Sequence, residues 1–184
     1  MTPTALIVVD LQLGTEDPSW GPRNNPNCAN NVAALLEAWR FHDQPVVYIR
    51  HDSVEPGSTL RPGEPGNHLH PVLADAPDLL VTKHVSSAFH GEPDLGAWLH
   101  ERGIDRLVMC GVQTNMCCET SARVAAVLGF DVSFVLDATY THDRVTRDGT
   151  LITADTLAQV TAVNFEPEFG RVVSTREAIE EIDP

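Results

Sequence analysis

Basic residues are scarce in this chain: 12 Lys and Arg stand against 26 Asp and Glu in 184 residues, a net charge of -14 at pH 7. A surface so acidic repels phosphate backbones and anionic lipid, so nucleic-acid and membrane partners are not expected. No apolar run approaches the ~20 residues needed to cross a bilayer. The opening MTPTALIVVD has no basic stretch ahead of its apolar residues and closes on an Asp. It reads as a strand and not as a leader, and the expected compartment is the cytoplasm. No G-x-G-x-x-G or Walker loop follows an apolar run, which argues against nucleotide binding. There is no CxxC pair, no internal repeat and no low-complexity linker. The four cysteines are Cys28, Cys110, Cys117 and Cys118, and the last two are adjacent. Neighbours in sequence form only strained bridges, so a redox thiol pair is a weak reading and reduced thiols are expected.

What is present is ordinary globular material, 42% hydrophobic and 21% charged. The length suits a single domain, residues 1–184, with one real core. Ala5 to Val9 is a continuous apolar run, as expected of a strand buried on both faces. Further strands are expected at Val46 to Ile49, Leu79 to Thr82, Arg106 to Cys110, Val132 to Leu136 and Arg171 to Val173. Between them lie segments with helical spacing: Asn30 to Phe41, the region of Leu95 and Leu99 up to Gly103, Met116 to Leu128, Leu151 to Val163, and Arg176 to Ile182. Strands alternating with helices predict an α/β fold, a Rossmann-like three-layer αβα sandwich around a mostly parallel sheet of about six strands. Two irregular stretches, Thr15 to Asn27 and Asp52 to Ala76, follow strands. They are candidates for pocket walls, because parallel sheets bind ligands at the carboxyl ends of their strands.

Three reactive side chains sit at those ends. Asp10 closes the first strand, Lys83 closes the third, and Cys117 lies just past the fourth. In a parallel sheet all three project at one edge, where an acid, a base and a thiol make a nucleophilic site. Thr114 and Asn115 are good helix caps, which would put Cys117 in a first helical turn where free N–H groups favour a thiolate. The ordinary role of a cysteine is a small buried hydrophobe. Cys118 and Cys110 fit that role, and Cys28 sits in a loop with no evident partner.

The segment GVQTNMCCETSAR, Gly111 to Arg123, resembles the signature of the isochorismatase-like cysteine hydrolases, with Gly111, Thr114, Cys117 and Thr120 at matching positions. The opening resembles the family's hydrophobic-D-x-Q start, with Asp10 and Gln12 in register. VTKHVSSAF resembles its K-x-x-x-S-A-F segment through Lys83, Ser87, Ala88 and Phe89, and VLDATYTHDR resembles its D-A-x-x-T block. The resemblance runs from about residue 5 to residue 170. It implies a catalytic triad of Asp10, Lys83 and Cys117, an amide-type C–N bond cleaved through a thioester, and a non-proline cis peptide at Val112–Gln113 that aims the N–H groups of Gln113 and Cys117 at the oxyanion. Gln12, Trp20, Phe89 and His142 are the further candidates for the pocket.

The resemblance stops short of the family's metal motif. Nicotinamidases carry D-x-H after the second strand, whereas this chain has RHDSVEPGS, with His51 and Asp52 in the opposite order and Ser53 in place of the histidine. His68 and His70 follow in a loop. No metal and no cofactor is expected, and nicotinamide is not the leading substrate. Isochorismatases proper cleave a vinyl ether without a nucleophilic cysteine, so Cys117 argues against that reaction. The loop residues Trp20 to Pro26 and Ser58 to Gly66 resemble a subgroup that secures no substrate. The expected partner is a small molecule, and a homo-oligomer, a dimer or higher, is the expected state. A catalytically silent small-molecule-binding protein on the same fold is the alternative.

Overall fold

The computed structural model describes residues 3–166 and 168–182. Six parallel strands form the sheet: β1 (Thr4–Val9), β2 (Val46–His51), β3 (Leu79–Lys83), β4 (Arg106–Val112), β5 (Asp131–Tyr140) and, at the far edge, β8 (Arg171–Val173). Their order is β3-β2-β1-β4-β5-β8. Every residue of β1 is buried, as its unbroken apolar run requires. Alternation along β1 divides the core in two. Leu6 and Val8 face one layer with Val32, Leu36 and Trp39 of α1 (Cys28–Phe41) and Ala178 of α5 (Thr175–Glu180). Ala5, Ile7 and Val9 face the other with Leu99 of α2 (Leu95–Glu101), Ala122 of α3 (Glu119–Val127) and Phe165 of α4 (Ala154–Phe165). A fully buried aliphatic or aromatic side chain stabilises by roughly 1.5–3 kcal/mol, so these two layers hold the sheet. The result is the three-layer α/β sandwich expected from the sequence. Among the described residues no helix is long and apolar enough to cross a membrane.

From β1 the chain moves outward through β2 and β3, then returns to place β4 on the opposite side of β1. The carboxyl ends of β1 and β4 therefore border the switch point of the sheet, where open α/β folds have their ligand crevice. Gly111 makes this junction possible. It sits at φ +118, and a Cβ there would lie 2.0 Å from the Val9 carbonyl oxygen, so only glycine lets the two strands approach so closely. The Val112–Gln113 peptide that follows is cis.

Some elements differ from the sequence reading. Leu151 to Val163 is not one helix. Leu151–Ile152 (β7) pairs antiparallel with Arg144–Val145 (β6), and α4 begins only after Thr153, whose side chain accepts from the Thr156 N–H. Asp143 Oδ1 accepts from the Ala154 N–H at 2.7 Å and fixes the same helix start. Cys28 is not a loop residue either. It opens α1, is fully buried, and its thiol donates to the Ala138 carbonyl at 3.2 Å. The helix expected from Met116 to Leu128 begins earlier, as a π-helical turn over Thr114–Cys118 that leads into α3.

Candidate active site

Strands in a sheet lie about 4.8 Å apart, so β3 and β1 are separated by roughly 10 Å with β2 between them. A lysine is long enough to span that gap. Lys83, the only lysine in the chain, is fully buried and places Nζ 2.6 Å from Asp10 Oδ2. The same ammonium donates to His51 Nδ1 at 3.1 Å, and His51 is the cross-strand partner of Lys83 on β2. Since Nδ1 accepts, the ring hydrogen of His51 sits on Nε2. Asp10 is itself buried and holds a left-handed φ of +47, and among the described residues its Oδ1 has no hydrogen-bond partner. The Asp10 carboxylate, a His51 ring nitrogen and Cys117 Sγ all lie within 4.8 Å of one another.

The electrostatics run against one sequence expectation. The Cys117 thiol is pushed up to about 12, first by burial and then by the Asp10 charge, with Lys83 pulling in the opposite direction. Burial and a neighbouring carboxylate outweigh the helical turn, and the resting group is a thiol and not a thiolate. The caps expected at Thr114 and Asn115 do other work. Thr114 Oγ1 donates to Thr139 Oγ1 of β5 at 2.8 Å, and Asn115 Oδ1 accepts from Oγ1 of Thr141, just past the strand's end, at 2.5 Å. The turn leads in from Gln113, whose carbonyl accepts from the N–H groups of Met116 and Cys118. Lys83 is pulled down by burial, but the Asp10 charge and the hydrogen bonds to Asp10 and Cys117 more than reverse this and hold it above its usual range. Burial, reinforced by the nearby Lys83 charge, lowers His51.

Asp10, His51 and Cys117 border a cavity of about 230 Å³ whose wall also holds the polar Thr15, Ser86, Gln113 and Arg144 together with the apolar Trp20, Leu60, Val112 and Met116. This is below the roughly 300–1,000 Å³ of sites for drug-sized ligands and suits a small molecule. A larger cleft of about 460 Å³ has Asn24, Asp137, Gln159, Ser174 and Glu177 in its wall, and there the Ser174 hydroxyl donates to Glu177 Oε2 at 2.7 Å as part of the capping box that starts α5. Both irregular stretches build the smaller cavity: Trp20 donates from Nε1 to Thr59 Oγ1 at 3.0 Å, and Thr59 Oγ1 donates to the Gly14 carbonyl at 2.9 Å.

Three residues expected in the pocket wall stand behind it. Gln12 clamps the end of β2, accepting from the His51 N–H at 2.8 Å and donating to the carbonyls of His51 and Asn67. Phe89 packs on Phe130, with ring centroids 5.7 Å apart. His142 is buried, packs against Trp20, and accepts from Gln113 Nε2 through Nδ1 at 3.0 Å. Sequence reasoning weighed His51 only against a metal motif, not as a neighbour of Lys83, and it missed Arg144. The register of β2 against β3 could have suggested His51, because it lies beside Lys83. Arg144 left no signal, being one arginine in a polar loop.

The histidine and aspartate candidates for a metal are spread apart. Asp52 is held by Arg50 in a two-pronged ion pair and accepts from Asn67, His68 is exposed, and His70 Nδ1 accepts from the Val72 N–H. Asp10, His51 and Cys117 have donor atoms close enough for one ion, but the Lys83 ammonium already supplies a cation to two of the three.

The Isochorismatase domain family matches residues 4–165. The isochorismatase family protein YrdC of Bacillus subtilis is 31% identical over 95% of this chain and 94% of its own length. Nicotinamidase 3 of Arabidopsis thaliana is 30% identical over 80% of this chain and 78% of its own. The crystal structure of an isochorismatase-family protein from Chromobacterium violaceum superposes with a TM-score of 0.91 at 36% identity, covering 99% of this chain and 94% of that one. That of a cysteine hydrolase from Pseudomonas syringae pv. phaseolicola gives 0.88 at 27% identity, covering 98% and 92%. Sequence match, fold and the strand-end cluster agree, and the chain belongs to the isochorismatase family of hydrolases.

Proposed function

We propose that the protein is a cysteine amidohydrolase that cleaves the C–N bond of a small amide through a thioester on Cys117. The observation that carries this reading is the state of the Asp10 carboxylate. One oxygen is bound by the only lysine in the chain, and the other is buried without a partner in the cluster that contains Cys117. A free carboxylate oxygen beside a thiol held at about 12 is the arrangement a general base needs.

In this reading Asp10 takes the Cys117 proton as sulfur attacks the amide carbonyl carbon. The oxyanion is received by the backbone N–H groups of Gln113 and Cys117. Collapse of the tetrahedral species breaks the C–N bond, and the departing nitrogen takes the proton from Asp10. Water then attacks the thioester with Asp10 as base, releasing the acid and restoring the thiol. Lys83 opposes the build-up of two negative charges as the thiolate develops beside Asp10. No cofactor enters any step. The similarity to Nicotinamidase 3 and to a protein called a cysteine hydrolase supports amide chemistry at a thiol.

The test is amine or ammonia release across a panel of small primary and secondary amides, with wild type beside Cys117→Ala. Loss of at least about 10³-fold in the variant supports the reading. Turnover that survives in Cys117→Ala contradicts it.

A further inference from the structure

Asp10 and Lys83 neutralise each other at 2.6 Å, and His51, lowered by burial and by Lys83, is uncharged at neutral pH. The remaining charged side chain of the cavity wall is Arg144. Among the described residues no carboxylate pairs with its guanidinium. It donates from Nη2 to Gln113 Oε1 at 2.9 Å. The Gln113 amide is held in turn, since its Nε2 donates to His142 Nδ1 at 3.0 Å, and His142 makes a backbone hydrogen bond to Thr15. Each donor in this chain fixes the acceptor role of the next, so the guanidinium is aimed by buried groups although Arg144 itself lies at the exposed rim. A protein of net charge -14 thus keeps one uncompensated positive charge at the mouth of its reactive cavity. The wall that holds both that charge and the thiol also carries the apolar Trp20, Leu60, Val112 and Met116.

We infer that the substrate is a small amide that also carries a carboxylate, with its carbonyl at Cys117, a short carbon linker along the apolar wall, and its carboxylate paired with Arg144. The inference rests on the amidohydrolase reading and narrows it. A guanidinium with one donor committed keeps a fork of donors that matches a carboxylate. One free positive charge suits a monoanion better than a phosphate dianion, which would need a second cation that the cavity wall does not offer. The position of Gln113 explains why the charge is directional: the residue that follows the cis peptide beside the thiol also orients the arginine. His142 and Gln113 act here as positioning residues, through Arg144.

The experiment measures protection of Cys117 from iodoacetamide, read by peptide mass, with two matched pairs of probes: succinamate against succinamide, and glutaramate against glutaramide. Within each pair only the far group changes from carboxylate to amide. In wild type the carboxylates should halve the alkylation rate at a concentration about tenfold lower than the diamides. In Arg144→Gln that ratio should fall to about one, and in Arg144→Lys it should be partly kept, because the charge remains and the fork is lost. A ratio near one in wild type, a ratio that survives in Arg144→Gln, or no protection by any of the four overturns the carboxylate assignment. Failure of iodoacetamide to modify Cys117 at all overturns instead the nucleophile reading on which it rests. The two failures are therefore told apart in the same digest.

Discussion

Lys83 Nζ lies 2.6 Å from Asp10 Oδ2, both groups are buried, and the second oxygen of Asp10 has no partner. The pair is asymmetric: one oxygen is spent on charge balance and the other is left for a proton. Asp10 raises the Cys117 thiol while Lys83 lowers it, so the two residues have opposite effects on the nucleophile and separable signatures.

Removing the Asp10 charge should make Cys117 more reactive toward a simple alkylating agent and yet inactive in hydrolysis. In Asp10→Asn the Lys83 ammonium is left without its partner, the thiol falls from about 12, and each unit of that fall is about tenfold in thiolate. Iodoacetamide should therefore label Asp10→Asn faster than wild type near neutral pH, while amide turnover is lost. Asparagine also tolerates the left-handed backbone at this position. Slower labelling in the variant would show that Asp10 does not hold the thiol protonated.

Wild-type Cys117 should alkylate at a rate that climbs by about tenfold for each pH unit from about 7 to about 9.5, without a plateau, because its thiol titrates near 12. A plateau near neutral pH would mean a preformed thiolate.

Lys83→Met should cost about 3–5 kcal/mol in urea unfolding, since it leaves a buried carboxylate unpaired. Asp10→Asn combined with Lys83→Met should recover most of that loss, because no buried charge is then left alone. Equal instability of the single and the double variant would place the cost in packing and not in the pair.

The sheet and the convergence of Asp10, Lys83 and Cys117 were legible in the sequence because both follow from local pattern. Apolar runs mark strands, and residues just past parallel strand ends share one edge. Arg144, the neutral His51 and the pairing of Leu151–Ile152 with Arg144–Val145 were not legible, because they depend on side chains meeting across loops. The thiol of Cys117 was misread for the same reason. A helical turn next to cysteine is visible in sequence, whereas burial and the proximity of a carboxylate 107 positions earlier in the chain exist only in three dimensions. Thr114 and Asn115 show it again: both are good caps by residue type, yet here they bind Thr139 and Thr141.

Gly111→Ala should destabilise by more than about 3 kcal/mol, the range of strained or clashing core substitutions. The added carbon would meet the Val9 carbonyl at 2.0 Å in a conformation that only glycine adopts readily. A loss under about 1 kcal/mol would mean that β1 and β4 can part without cost.

His51 gives the acid limb of stability. Its folded pKa lies below the usual value, through burial and then the Lys83 charge, so the unfolded chain binds its proton first as pH falls. Stability is therefore lost as pH drops below about 6.5 toward the lower folded value. His51→Gln should lose less stability than wild type between about pH 7 and about pH 5. Parallel losses in the two proteins would assign the acid limb to other groups.

Covalent hydrolysis at Cys117 is decided by intact mass during turnover of a small amide, with Cys117→Ala and Asp10→Asn alongside wild type. An acyl adduct should form on wild type and decay as substrate is exhausted, map to Cys117, and be absent from Cys117→Ala. Sustained turnover with no adduct on any cysteine, or an adduct that persists in Cys117→Ala, would contradict a thioester at this residue.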